Sequence, residues 1–197
     1  VGIFGDLFGK KRHDPAQALI EWLDGHPHAC RRTVAGHCGA QHLYSGRALT
    51  WILTRTDCDR GTACDVFWET LAMGGVEELL ARRADPLAAT PRLEMVRLID
   101  QRWRADLYGP AEFGFDSTNH WQYFCKKLRK FGCKAADFDL PEGIRGPIPG
   151  ERFSHQWPAC QDEHDLLYDL IQDMWVCDSA IEMPDQWLPI RKKRLGY

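Results

Sequence analysis

The sequence predicts a mainly α fold: a single compact multi-helix domain with a long irregular segment before its C-terminal helix. Three observations carry that prediction. Apolar residues recur at i, i+3, i+4 and i+7 in run after run, the period of a helix with one buried face. Several runs open on Asp, Ser or Thr, sometimes with Pro next, and close on Gly, which is the chemistry of helix starts and stops. The 197 residues, 44% hydrophobic and 27% charged, suffice for one domain with a real core. The expected division is an apolar and basic segment at 1–13, a helical core at 14–135, an irregular Pro/Gly-rich connection at 136–160, an acidic helix packed on the core at 161–190, and a basic tail at 191–197.

At the N-terminus Ile3, Phe4, Leu7 and Phe8 share one helical face, followed by Lys10, Lys11 and Arg12. The pattern suits membrane-surface contact, but it is short and broken by glycine, so docking on the core is the preferred reading. Asp6 stands where a myristoylation signal needs Ser or Thr. Asp14, Pro15 and Gln17 then open a helix by cap, first-turn proline and capping box. Ala16, Leu19, Ile20 and Leu23 form its buried face, and Gly25 stops it.

His26, His28, Cys30, His37, Cys38 and His42 follow, the densest set of metal-ligand residue types in the chain. Zinc would accept such a composition, but no C-x₂₋₄-C knuckle is present. The nearby glycines and Arg31-Arg32 predict instead an irregular, exposed connection with surface histidines and one or two core cysteines. A nucleophilic pair at His37 and Cys38 has no nameable third group to orient it.

Ser45 caps the next predicted helix, with Leu49, Ile52 and Leu53 inward and Trp51 beside them. A polar corner of Thr56, Asp57, Cys58 and Asp59 leads into Arg60 and Thr62. Asp57 or Asp59 is placed to accept the first free N–H groups of a second helix, with Arg60 as ion-pair partner. Its buried face is Ala63, Cys64, Phe67, Trp68 and Leu71, with Asp65 and Glu69 pointing away and Gly74-Gly75 ending the run. The two helices are expected to form a hairpin with aromatic inner faces. A catalytic corner is the competing interpretation of Asp57, Asp59 and Arg60; a capped helix with an ion pair at its mouth is preferred, since every helix needs its free ends satisfied.

Val76, Leu79 and Leu80 mark a short helix. Thr90 and Pro91 open another, whose stripe is Val96, Ile99, Trp103 and Leu107. Asp116-Ser117 starts a helix carrying Trp121, Phe124, Cys125, Leu128 and Phe131 inward. Lys126, Lys127, Arg129 and Lys130 on its surface read as a solvated face in preference to an RNA-binding one. From 132 to 160 prolines and glycines forbid long helices, with room for a strand or two in 135–140. The final helix pairs an apolar stripe (Leu166, Leu167, Leu170, Ile171, Met174, Trp175) with an acidic one (Asp162, Asp165, Asp169, Asp173). Residues 160–186 hold eight acids and no Lys or Arg.

The run W-I-L-T-R-T-D-C-D-R-G-T-A-C-D-V-F-W, residues 51–68, resembles the box of an uncharacterised bacterial domain-of-unknown-function family. There a Cys-Asp-Lys/Arg-Gly/Ala-Thr-Ala corner opens a helix that ends in aromatic residues. Cys64 replaces the larger aliphatic residue usual at its position. The resemblance implies a bacterial, mostly helical protein and brings no catalytic residue with it.

No P-loop, GxSxG, HExxH or dinucleotide fingerprint occurs. A net charge of −3 argues against a generic nucleic-acid binder, and no apolar run reaches the roughly 18 residues of a membrane span. The eight cysteines are scattered and no secretory leader opens the chain, so reduced cysteines and a cytoplasmic location are expected. The preferred function is a non-catalytic bacterial binding protein without cofactor. It would be an immunity-type or regulatory partner that neutralises a cognate protein with a basic surface, a toxin being one such target. Its contacts would be Asp162, Asp165, Asp169 and Asp173, with Trp157 and Trp187 as aromatic anchors. The alternative is a small metal-dependent hydrolase using the 26–42 cluster with Asp57 or Asp59 as base.

Overall fold

The structure, a computed structural model, describes residues 14–41, 46–85 and 90–153, without the side chains of Pro15, 37–41 and Ala84. The 1–13 segment, Ser45, the 161–190 helix and the basic tail lie outside the described residues. What is described is mainly helical, as predicted. In chain order the helices are α1 (Pro15–Asp24), α2 (His28–Gln41), α3 (Gly46–Thr54), α4 (Arg60–Thr70), α5 (Val76–Ala84), α6 (Pro91–Arg104) and α7 (Thr118–Lys130). Two short strands, β1 (Phe113–Gly114) and β2 (Glu151–Arg152), pair in parallel. No helix among the described residues is long and apolar enough to cross a membrane.

The helix starts form where the cap chemistry places them. Asp14 accepts the Gln17 amide at 3.1 Å, Asp59 the Thr62 amide at 3.1 Å, and Thr90 the Leu93 amide at 3.2 Å. Gln17 does not close a capping box; its side chain donates to Glu21 at 2.9 Å, while Arg47 takes the second Asp14 oxygen.

α4 is the hub. Every residue from Gly61 to Trp68 is buried, because α2, α6, α7 and β1 all pack around it. A helix enclosed on all sides has no solvated face, so Asp65, expected to point outward, is 7% exposed. Gly61 is required where β1 crosses the start of the helix: a Cβ there would lie 1.8 Å from the Phe113 carbonyl oxygen. The run ends at Gly74, whose φ of 111° is readily reached only by glycine.

Two expectations fail together. The 28–41 stretch is not an irregular connection but the 14-residue helix α2. It packs against both α3 and α4, while α3 and α4 touch each other at most marginally. The corner at 56–59 therefore joins two helices separated by α2, and no closed hairpin forms.

The helix stripes end earlier than their periodicity suggests. α6 stops at Arg104, so Leu107 lies beyond it at 49% exposure and Tyr108 is buried in its place. α7 buries Phe124 and Leu128 but leaves Phe131 at 54%.

The Pro/Gly-rich run is packed into the body as far as the description reaches. Its 135–137 residues form a 3₁₀ turn, not a strand. Further on, Ile144 is wholly buried, and its carbonyl accepts the indole N–H of Trp68 at 2.9 Å. The Glu142 carbonyl accepts the Trp103 indole N–H at 2.8 Å. Phe115 and Ile148 exchange backbone hydrogen bonds of 3.0 and 2.8 Å, leading into the β1–β2 pair. Indole donors thus satisfy carbonyls of a segment with no ladder of its own.

Candidate functional site

The corner between α3 and α4 is built from charge pairs around Asp57. Arg55 donates to its two oxygens at 2.7 and 3.1 Å, and Arg31 of α2 donates at 2.8 Å. Arg55 and Arg31 hold the Asp57 carboxyl well below the usual carboxylate range, overcoming the effect of its partial burial. Both guanidiniums lie over the Trp51 ring, at 4.7 and 5.5 Å, and Arg55 also bonds Asp24 at 2.8 Å. Asp57 is therefore a permanent counter-ion, unsuited to accepting a proton at neutral pH.

Asp59 is the α4 cap, bonded to both the amide and the hydroxyl of Thr62. Arg60 pairs with Asp106 and lies over Trp103 at 5.3 Å. Asp59 and Thr62 are thus joined at the start of α4, while Asp57 faces Arg31 and Arg55, and Arg60 turns to Asp106 and not to either corner carboxylate as expected.

Two further polar pairs line the neighbouring face of α4. Arg32 and Asp65 form a buried bridge of 2.8 Å, with side chains 4% and 10% exposed. Arg32 also donates to the Gly61 carbonyl at 3.1 Å. One turn on, Glu69 bonds His120 of α7 at 2.9 Å, and this bond raises the His120 pKa. The available signal was the i, i+4 spacing of Asp65 and Glu69, which places two acids on one face of a helix that turned out to be enclosed.

The metal-ligand types of 26–42 diverge. His26 stacks on Trp22 with ring centroids 3.6 Å apart, and its Nδ1 donates to the Trp22 carbonyl at 2.5 Å. His28 turns to Glu112, 3.1 Å from Nδ1, and to Asp57, 3.5 Å from Nε2. Cys30 is wholly buried and disulfide-bonded, which corrects the expectation of uniformly reduced cysteines. The side chains of His37 and Cys38, and all of His42, lie outside the described residues. Among the described residues no group of three or more His, Cys, Asp or Glu side chains is arranged to hold a metal ion. Cys58 and Cys64 are free thiols, each pushed by burial up to about 12, far from the thiolate a nucleophile needs.

Asp162, Asp165, Asp169, Asp173, Trp157 and Trp187, the expected partner contacts, lie outside the described residues. Comparison of the chain with family models, curated proteins and solved structures finds no match.

Proposed function

We propose that this is a non-catalytic bacterial binding protein, an immunity-type or regulatory partner that neutralises a cognate protein carrying a basic surface. The observation that carries the proposal is the charge distribution. Residues 160–186 hold eight acids and no base, whereas residues 1–159 are nearly charge-balanced. A one-sign segment on a nearly neutral body accelerates encounter with an oppositely charged partner and disfavours wrong ones. The interior geometry is consistent with this reading: the carboxylates of the corner are bonded to arginines or a helix end, and the α4 thiol is inert. A cytoplasmic location accompanies the reading. The Cys30 disulfide favours an oxidising compartment, so alkylation of Cys30 in freshly quenched host cells decides the location independently.

The test has two steps. A pull-down from the native host identifies the partner, and association rates are then measured at low salt for the wild type and for Asp165→Lys/Asp169→Lys. The double reversal should slow association by about tenfold or more while the circular dichroism spectrum stays unchanged. An on-rate that the reversal leaves intact refutes the acidic segment as the contact.

A further inference from the structure

We propose that the acidic C-terminal segment is stapled to the face of α2 that turns away from α4, by a disulfide between Cys30 and one of the two cysteines of that segment, Cys160 or Cys177. Cys30 is disulfide-bonded. Cys58, Cys64, Cys125 and Cys133 are free thiols, which excludes them as its partner. Cys38 is excluded by geometry. It lies eight residues further along the same continuous helix, a rise of about 12 Å, whereas a disulfide joins α-carbons about 4.4–6.8 Å apart. Of the eight cysteines in the chain, Cys160 and Cys177 are left, and both lie in the acidic 160–186 run.

The packing of α2 agrees. Arg32 reaches α4 through Asp65, and Arg31 reaches the Trp51 ring of α3 and the Asp57 carboxylate. Thr33, Cys30 and Val34 lie about 100°, 160° and 200° round the helix from Arg32, so their common face turns away from it. That face is buried: Thr33 is 7% exposed, and Cys30 and Val34 are wholly covered. Among the described elements only α3 and α4 pack extensively on α2, and the segment joined to Cys30 supplies further cover. The chain also leaves the body in the right place. The ring of Phe153, where the described backbone ends, lies 5.4 Å from the Arg32 guanidinium and 5.2 Å from the Phe113 ring. The seven residues from there to Cys160 reach at most about 25 Å, more than the roughly 10–12 Å breadth of a helix, and Cys177 lies on a longer tether. The bond forms when the two thiols give two electrons and two protons to a disulfide oxidant such as oxidised glutathione, which leaves as two thiols. The staple holds the acids on one side of the body whether or not they meet a partner, so it stands or falls apart from the function proposed above.

The experiment is peptide mapping of the full chain after equilibration with oxidised glutathione. Free thiols are blocked with N-ethylmaleimide in denaturant, and the band that runs as a monomer on a non-reducing gel is cut with trypsin and Asp-N. Peptide 24–31, which holds Cys30, should emerge joined to 153–161 or to 173–177, the products that carry Cys160 and Cys177, and dithiothreitol should separate the two. A Cys30 that is blocked by maleimide, capped by glutathione, joined to any other cysteine or found only in a covalent dimer overturns the proposal. Cys160→Ser/Cys177→Ser removes both partners without touching α2. Its α2 amides should exchange with deuterium at least about tenfold faster than those of wild type, and unchanged exchange overturns the docking. The mapping uses the wild-type chain, so it decides the link even where the double variant fails to fold.

Discussion

Ile144→Ala separates two physical pictures of the Pro/Gly-rich run. If the run is a connection hung outside the body, losing a side chain from it costs no more than an exposed substitution, within about 0.5 kcal/mol. The structure places that side chain at zero exposure against the α4 core. Truncating a wholly buried isoleucine costs about 2–5 kcal/mol, through lost transfer energy and the cavity left behind. The substitution leaves the backbone alone, so the Ile144 carbonyl still accepts the Trp68 indole at 2.9 Å, and the effect reports packing only. With a urea m-value of about 2 kcal/mol/M, the midpoint should fall by about 1–2.5 M. Leu107→Ala, at a residue 49% exposed, is the control and should shift it by no more than about 0.3 M. An Ile144→Ala midpoint within about 0.3 M of wild type, at unchanged m, refutes the packed-strap reading.

Gly61→Ala should be destabilising by about 3 kcal/mol or prevent folding, because the added Cβ meets the Phe113 carbonyl, a backbone atom that cannot rotate away. Gly36→Ala, inside α2 with no described atom within 4 Å of the new Cβ, should instead stabilise by about 0.5–1 kcal/mol; paired thermal melts check both. The bond from Glu69 raises the His120 pKa, so the fold holds the imidazolium more tightly than the unfolded chain does. That contribution is complete below the ordinary value of 6.5 and disappears as pH rises through the higher folded value. Wild type should therefore exceed His120→Gln by up to about 1 kcal/mol more at pH 6 than at pH 8, measured by urea unfolding; a constant difference across that range contradicts the pairing.

What could be read from the chain was whatever local chemistry decides. Asp14, Pro15 and Gly25 bracket α1, and Thr90 and Pro91 open α6, because caps and prolines act on their own backbone whatever surrounds them. α2 could not be read that way. Its residues include three glycines or histidines in mid-helix and two adjacent arginines, a composition whose local preference is for a loop. The partners that hold it are Asp57 and Asp65, brought near only by the tertiary fold. The burial of Asp65 was hidden for the same reason: periodicity assumes one wet face, and α4 has none from Gly61 to Trp68. The strap at 138–148 has no period at all, and its docking is set by tertiary bonds such as those from the Trp68 and Trp103 indoles and the Phe115–Ile148 bridge.

Arg31 and Arg32 link these points. Neighbours on a helix project about 100° apart, so one reaches the corner and the other the face of α4. Sliding α2 by one residue would strand both guanidiniums, leaving buried charges unpaired at a cost of several kcal/mol each. Replacing such pairs by apolar residues is often neutral or stabilising, so their value here is the register they impose on α2 between its neighbours. A body positioned this way has its interior charges cancelled in pairs, and little field escapes from them. Among the described residues, the field that reaches solvent then comes mainly from charges other than these interior pairs.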